Sequence, residues 1–482
     1  MILKAYLYVL IFLLPYLALS PWNKVKGMPG GIIFVCLVAV FVIGVIIDRP
    51  YLFSWQAIKK TPLIVPLGIF IVANVMSLIS VLLFKGKSFL WANNFKEIGY
   101  LIFATVFYWA VHVFTTEDKK LKQVLKVFLL SFTAASLYCI IRLLSYMAGL
   151  SFGFAQPWTV PRLTAPGGES QVMGGFIITV LPLAIAAILY NLSLFKKLAS
   201  TFLSIILLTA LIMTFSAGAW LGFGMAMVFL AVWFNYYNAK SVLICLLVFC
   251  LAGSAIILID KTIYPGYLEG FISISQKISG DVSQAEDIKN RKVEDVLTEN
   301  LKNGTPKSQS TVSQVQKSQV QKSQENKEDQ PKYAESIYSN VERIRFRQAL
   351  WAMFKSSPLL GVGPGNFEVL YEKYRPDGAP KPNYLPKPHN QYMEILAEIG
   401  IVGFASFLVI VVNIIYLFAE SWYCVSEEDK KLLLGLMASL FAVAVHGYVF
   451  GILVHIQMWL LLALVTTIFN KDLTVKSKSF LK

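Results

Sequence analysis

The chain has 482 residues, 56% of them hydrophobic and only 15% charged. Soluble globular proteins carry roughly 25% charged residues, so this balance excludes that class and predicts an all-α polytopic membrane protein. The net charge of +15 follows membrane topology, as shown below, and does not indicate nucleic-acid binding.

Crossing a bilayer takes about 20 helical residues. Runs of that kind occur near Lys4 to Ser20, Gly31 to Ile47, Pro62 to Phe84, Ile98 to Phe114, Val124 to Leu150 and Val172 to Tyr190. Others follow near Leu198 to Thr214, Ala219 to Phe234, Val242 to Ile259, Ile399 to Ala419, Leu432 to Phe450 and Ile452 to Phe469, so about twelve transmembrane helices are expected. Ala18-Leu19-Ser20 resembles a signal-peptide cleavage site. Pro21 argues against cleavage, and the segment reads as the first span. The five cysteines, Cys36, Cys139, Cys245, Cys250 and Cys424, lie in or beside apolar spans at no metal-ligand spacing and read as packing residues.

Positive charge is retained in the cytoplasm. With the N-terminus inside, the inner loops hold Arg49, Lys59, Lys60, Lys119, Lys120, Lys122, Lys196, Lys197, Lys240, Lys430 and Lys431, and the tail adds Lys471, Lys476, Lys478 and Lys482. The short outer loops hold only Lys24, Lys26, Lys85, Lys87 and Arg162. Both termini are therefore expected in the cytoplasm of a multi-pass inner-membrane protein. The chain then divides into residues 1–259 with helices 1–9, an extracytoplasmic loop over 260–390, and residues 391–482 with helices 10–12 and a tail.

Within the loop, QVQKS occurs twice in succession from Gln314 to Ser323, in a Gln-, Ser- and Lys-rich background without aromatic residues. Such a tract buries too little apolar surface to offset its ordering entropy, and about 302–331 reads as a disordered insertion. An amphipathic helix is expected over about 336–355. Phe346, Ala349, Leu350, Met353 and Phe354 follow its i, i+3, i+4, i+7, i+8 pattern. Arg343 and Arg347 fall on or beside that apolar face. They either meet partners in the membrane domain or snorkel to lipid phosphates. The next stretch, PLLGVGPGNF from Pro358 to Phe367, is a glycine-rich turn without the lysine of a phosphate-binding loop.

Then comes LPKPHNQYMEILAEIGIVGF, from Leu385 to Phe404. Proline favours the first helical position. Pro388 there would put His389 in the first turn, where free N–H groups and the helix dipole attract phosphate and keep an imidazole neutral. Met393, Leu396, Gly400 and Gly403 share the face of His389, the glycines permitting a close helix neighbour, while Glu394 and Glu398 point away.

His389-Asn390, nine residues, Gly400, two residues and Gly403 resemble the signature of the O-antigen ligase and O-antigen polymerase superfamily. Arg343-Ile344, the Ala349-Leu350 helix and PLLGVGPGNF are similar to family features in the same order. Arg162-Leu163-Thr164 with Gly167 and Gly168, and SAGAWLG from Ser216 to Gly222, resemble two more. Ala217 stands where the family commonly has an arginine assigned to diphosphate binding, and Arg162 is the nearest substitute by loop side. Glu169-Ser170 replaces the family's Pro-Asn.

The resemblance implies a glycosyltransferase acting on the outer face of the cytoplasmic membrane. The donor would be a glycan on undecaprenyl diphosphate, and the acceptor a hydroxyl of a glycan or glycolipid in the bilayer. His389 would be the general base, and Arg343, Arg347 and Arg162 would bind the diphosphate. No cofactor and no metal are implied, since the sequence has no Asp-x-Asp pair and no His/Cys cluster of ligand spacing. Two other classes fit twelve helices: a transporter or lipid flippase, with Arg142, His446 and His455 along a pathway, and a non-catalytic scaffold of a glycan-assembly complex.

The topology is testable. In a variant lacking the native cysteines, Ser318→Cys should react with a membrane-impermeant thiol reagent in intact cells. Reaction only after lysis would overturn the orientation and the outward-facing site together.

Overall fold

A computed structural model of the chain describes residues 2–17, 30–48, 58–59, 61–84, 91–150, 162–165, 169–189, 194–233, 239–262, 334–379 and 386–479. The expected insertion at 302–331 lies outside them, as do Gly167 and Gly168. All regular structure among the described residues is helical.

The helices are α1 (Ile2–Leu17), α2 (Gly30–Asp48), α3 (Ile64–Phe84), α4 (Trp91–Thr115), α5 (Asp118–Met147), α6 (Ser170–Leu189) and α7 (Leu194–Met213). They continue as α8 (Ala217–Val232), α9 (Ala239–Thr262), α10 (Ala334–Ser356), α11 (Phe367–Tyr374), α12 (Gln391–Trp422), α13 (Glu427–His446) and α14 (Ile456–Ser479). Each of the twelve apolar runs overlaps one of α1–α9 or α12–α14. Among the described residues, seven helices are long and apolar enough to cross a membrane.

Helix α13 starts at a conventional cap: the Ser426 side chain accepts from the Asp429 N–H at 3.2 Å. Three acidic residues fill its first turn, where they oppose the positive end of the dipole. It then packs between α6 and α8, while α14 packs on α4 and α12 on α3. Trp459 of α14 is fully buried, and a buried run of edge-on rings, Phe128 and Phe132 of α5 with Phe176 of α6, joins α5 to α6.

The feature that shapes the His389 end of the bundle is a break in α12. Gly400 has φ 69° and ψ −168°, a combination essentially confined to glycine. In a continuous helix the N–H groups of Ile401 and Val402 would donate to the carbonyls of Ala397 and Glu398. Here the glycine-rich turn takes both halves of those bonds. Val362 and Gly363 N–H groups donate to the Ala397 and Glu398 carbonyls at 3.0 and 2.8 Å, and Ile401 and Val402 donate to the Pro358 and Leu359 carbonyls at 2.9 and 3.2 Å. The turn is thus an essential part of the helix ladder.

Close neighbours of the glycines differ from the sequence expectation. A Cβ at Gly400 would stand 2.3 Å from the Leu359 carbonyl oxygen, and one at Gly361 2.2 Å from the Glu398 carbonyl carbon. The close partner is therefore the backbone of a turn, not another helix. Gly400→Ala adds this clash to a strained φ that alone costs about 1–3 kcal/mol, so a clear drop in the detergent-solubilised melting temperature is expected. Gly224→Ala, with no atom within 4 Å of the new methyl, should melt close to wild type.

Candidate active site

Helix α10 carries the arginines and is fixed by its apolar side. Phe346, Ala349, Leu350 and Met353 are buried with Val362, Phe367, Tyr371 and Ala397, joining α10 to α11, the turn and α12. Phe346 is the hub, its ring edge-on to Tyr371 with centroids 5.1 Å apart and stacked beside His389 at 6.3 Å.

His389 does not occupy the first turn of α12. The helix begins at Gln391, and Asn390 is the N-cap, its side-chain oxygen accepting from the Met393 N–H at 3.0 Å. An asparagine cap satisfies an orphan N–H, which outweighs the preference of Pro388 for the first helical position. His389 is left just before the cap at φ 50°, in the left-handed region uncommon for residues with a Cβ.

The imidazole is partly buried. Burial first, and then the positive charges of Arg343 and Lys387, push its pKa down to about 3. Neutrality therefore comes from desolvation and neighbouring cations, not from the helix dipole that the sequence suggested.

Cations converge on this point from three segments. Arg343 is pressed below the usual arginine value by burial and by the nearby guanidiniums of Arg347 and Arg162, with Glu342 opposing. Among the described residues it makes no salt bridge. Arg347, one turn further along α10, lies over the Tyr448 ring at 4.7 Å from its centroid.

Arg162 is brought in by a pinned irregular segment. The Leu163 N–H donates to the Met213 carbonyl at 2.9 Å and the Ala165 N–H to the Glu169 carbonyl at 3.2 Å. Buried Arg142 donates to the Thr164 hydroxyl at 2.7 Å and to the Thr164 carbonyl at 3.2 Å. The segment thus meets the end of α7, four residues before Ala217 opens α8. Lys387 pairs with Glu169 at 3.1 Å, closing the His389 segment onto the residue that precedes α6. Arg142 thus acts as an anchor for the Arg162 segment.

Several residues of the site carried no sequence signal of their role. The Glu398 carboxylate accepts from the Gly365 and Phe367 N–H groups at 2.7 and 2.9 Å, capping α11 and holding the turn. The Ser77 hydroxyl donates to the Glu398 carbonyl at 2.9 Å, and Asn94 donates to the buried Asn366 side chain at 3.0 Å. The Gln391 side-chain oxygen accepts from the Ile452 and Leu453 N–H groups at 2.8 and 3.0 Å. An acidic residue in an apolar run is a general flag for function, and Glu398 could have been found that way. Its partners could not. Among the described residues no group of three or more His, Cys, Asp or Glu side chains is arranged to hold a metal ion.

Guanidiniums clustered near a neutral imidazole can in chemical terms hold an anion. The family model described as O-antigen ligase matches residues 202–408, a little under half of the chain, from α7 through the break in α12. The match supports the resemblance to the O-antigen ligase superfamily that the sequence carries. No curated protein matches the chain.

Glu398→Gln would turn an amide NH₂ toward one of two N–H donors. Hydrogen bonds of this kind are worth about 1–3 kcal/mol, so the variant should melt lower and proteolysis between Ser357 and Phe367 should accelerate. Unchanged melting and cleavage would show that the carboxylate does not hold the turn.

Proposed function

We propose that the protein transfers a glycan from undecaprenyl diphosphate to an acceptor hydroxyl on the outer face of the cytoplasmic membrane, as a metal-independent glycosyltransferase. The observation that carries this reading is a run of neighbouring cations, Arg343 within electrostatic range of His389 and Arg162 within range of Arg343, in or beside the segment that the family model matches. Twelve crossings, cytoplasmic termini and an extracytoplasmic site belong to the same proposal, and the lysine distribution supports them.

The chemistry follows from the residues. The donor diphosphate enters a cationic cluster whose charges repel one another, so binding is favoured by the release of that repulsion as well as by bidentate guanidinium–phosphate bonds. Its negative charge offsets Arg343 and Lys387 and so raises the His389 pKa toward neutrality. The donor thereby strengthens the base that uses it. The acceptor O–H gives its proton to His389 while its oxygen bonds to the anomeric carbon. The bond from that carbon to the diphosphate oxygen breaks, and undecaprenyl diphosphate leaves with its new charge stabilised by the arginines.

His389→Ala should abolish turnover and leave donor binding nearly unchanged, whereas Arg343→Ala should weaken both. Arg343→Lys should rescue poorly, because an ammonium lacks the planar fork. Arg162→Ala should be as harmful as Arg343→Ala if it replaces the missing charge at Ala217, and Arg347→Ala should cost less, since Tyr448 already engages that guanidinium. Wild-type transfer by a folded His389→Ala protein would remove the mechanism.

The pH dependence has a defined sign. In the free protein His389 is neutral above about pH 3, so kcat/KM should show no limb near 6.5, the usual imidazole value. The acid limb of kcat should lie at higher pH, because bound diphosphate raises the same group. A kcat/KM limb at about 6.5 would contradict the cation-flanked base.

A further inference from the structure

Below the cationic cluster lies a second group of polar side chains that the proposed transfer does not use. His446, at the end of α13, is 1% exposed, and His455, just before α14, is 8% exposed. The ring of Phe450 stacks between them, 5.2 Å from His446 and 5.0 Å from His455. Small residues make room for the first imidazole: a Cβ would stand 3.6 Å from His446 Nε2 at Gly175 and 3.0 Å from His446 Nδ1 at Gly218.

The polar atoms of this group are not matched to one another. His446 faces the backbones of Gln171 and Gly218, yet neither of its ring nitrogens forms an aligned hydrogen bond, nor do His455 Nε2, Gln171 Oε1 and Asn390 Nδ2. Buried polar groups are ordinarily satisfied, and each exception calls for an explanation, of which a bound ligand is one. The group is contiguous with the site. Arg343 is within electrostatic range of His446, and Lys387 of His455, while Asn390 adjoins His389.

We infer that the His446–Phe450–His455 stack, with Gln171 and Asn390, is the subsite for the sugar bonded directly to the donor diphosphate. A neutral imidazole offers one donor and one acceptor, the Gln171 oxygen an acceptor and the Asn390 amide a donor. That mixed, uncharged set suits the hydroxyl groups of a sugar and contrasts with the donor-only guanidiniums above it. The site then has two compartments: cations for the diphosphate and an imidazole–amide wall for the adjoining ring. This inference rests on the proposed donor class.

The test is binding in detergent to two probes, undecaprenyl diphosphate alone and the same lipid bearing a single glucose, galactose or N-acetylglucosamine. Wild type should bind at least one sugar-bearing lipid about tenfold more tightly than the bare lipid, the equivalent of one or two net hydrogen bonds. His446→Phe and His455→Phe should lose that margin and bind the bare lipid as wild type does. His446→Gln keeps a donor and an acceptor and should retain part of the margin, which also guards against a packing defect in the phenylalanine variants. A full margin in both phenylalanine variants, or no margin in wild type, would overturn the subsite. Arg343→Ala reports on the donor reading independently: bare-lipid binding unaffected by that change would sink the diphosphate assignment, whatever the histidines do.

Discussion

The site depends on one broken hydrogen-bond ladder. At Gly400 the helix α12 gives up its bonds from Ile401 and Val402 to Ala397 and Glu398, and the turn from Pro358 to Gly363 supplies four replacements. In a lipid environment an unsatisfied backbone group costs several kcal/mol, so neither partner is tolerable without the other. The consequence is geometric. The turn fixes α11 and the end of α10 relative to α12, and with them Arg343 relative to His389. Glu398 reinforces the same joint by serving the break through its carbonyl and the turn through its carboxylate.

Around this joint, charge is gathered against its own repulsion. Arg162, Arg343 and Lys387 come from segments far apart in the chain, and each is held by a local device: Arg142 pins the Arg162 segment, the Phe346 face seats α10, and Glu169 pairs with Lys387. Local packing and hydrogen bonds are thus what hold like charges near one another.

The architecture was legible in the sequence because burial in lipid needs long apolar runs, and each run overlaps a helix. His389, Arg343 and Arg162 stand out in the sequence as candidates, and the structure brings Arg343 within electrostatic range of the other two. The details failed where two local rules competed or where a partner was remote. Pro388 and Asn390 both signal a helix start, and only the structure shows that the asparagine cap decides it. Gly400 and Gly403 read as helix-packing residues because positive φ leaves no periodic trace. Glu398 read as pointing away, which is correct for its face, but the N–H groups it serves are more than 30 positions distant and have no signature in composition.

The division of work between His389 and Asn390 has an evolutionary meaning. Asn390 carries the cap and so keeps the start of α12 intact, while the neighbouring residue supplies only a left-handed turn and a side chain. Glycine, asparagine or aspartate would adopt that turn at least as readily. Position 389 can therefore change its side chain without unfolding the element that presents it, so the helix start places no demand of its own on the identity of that residue.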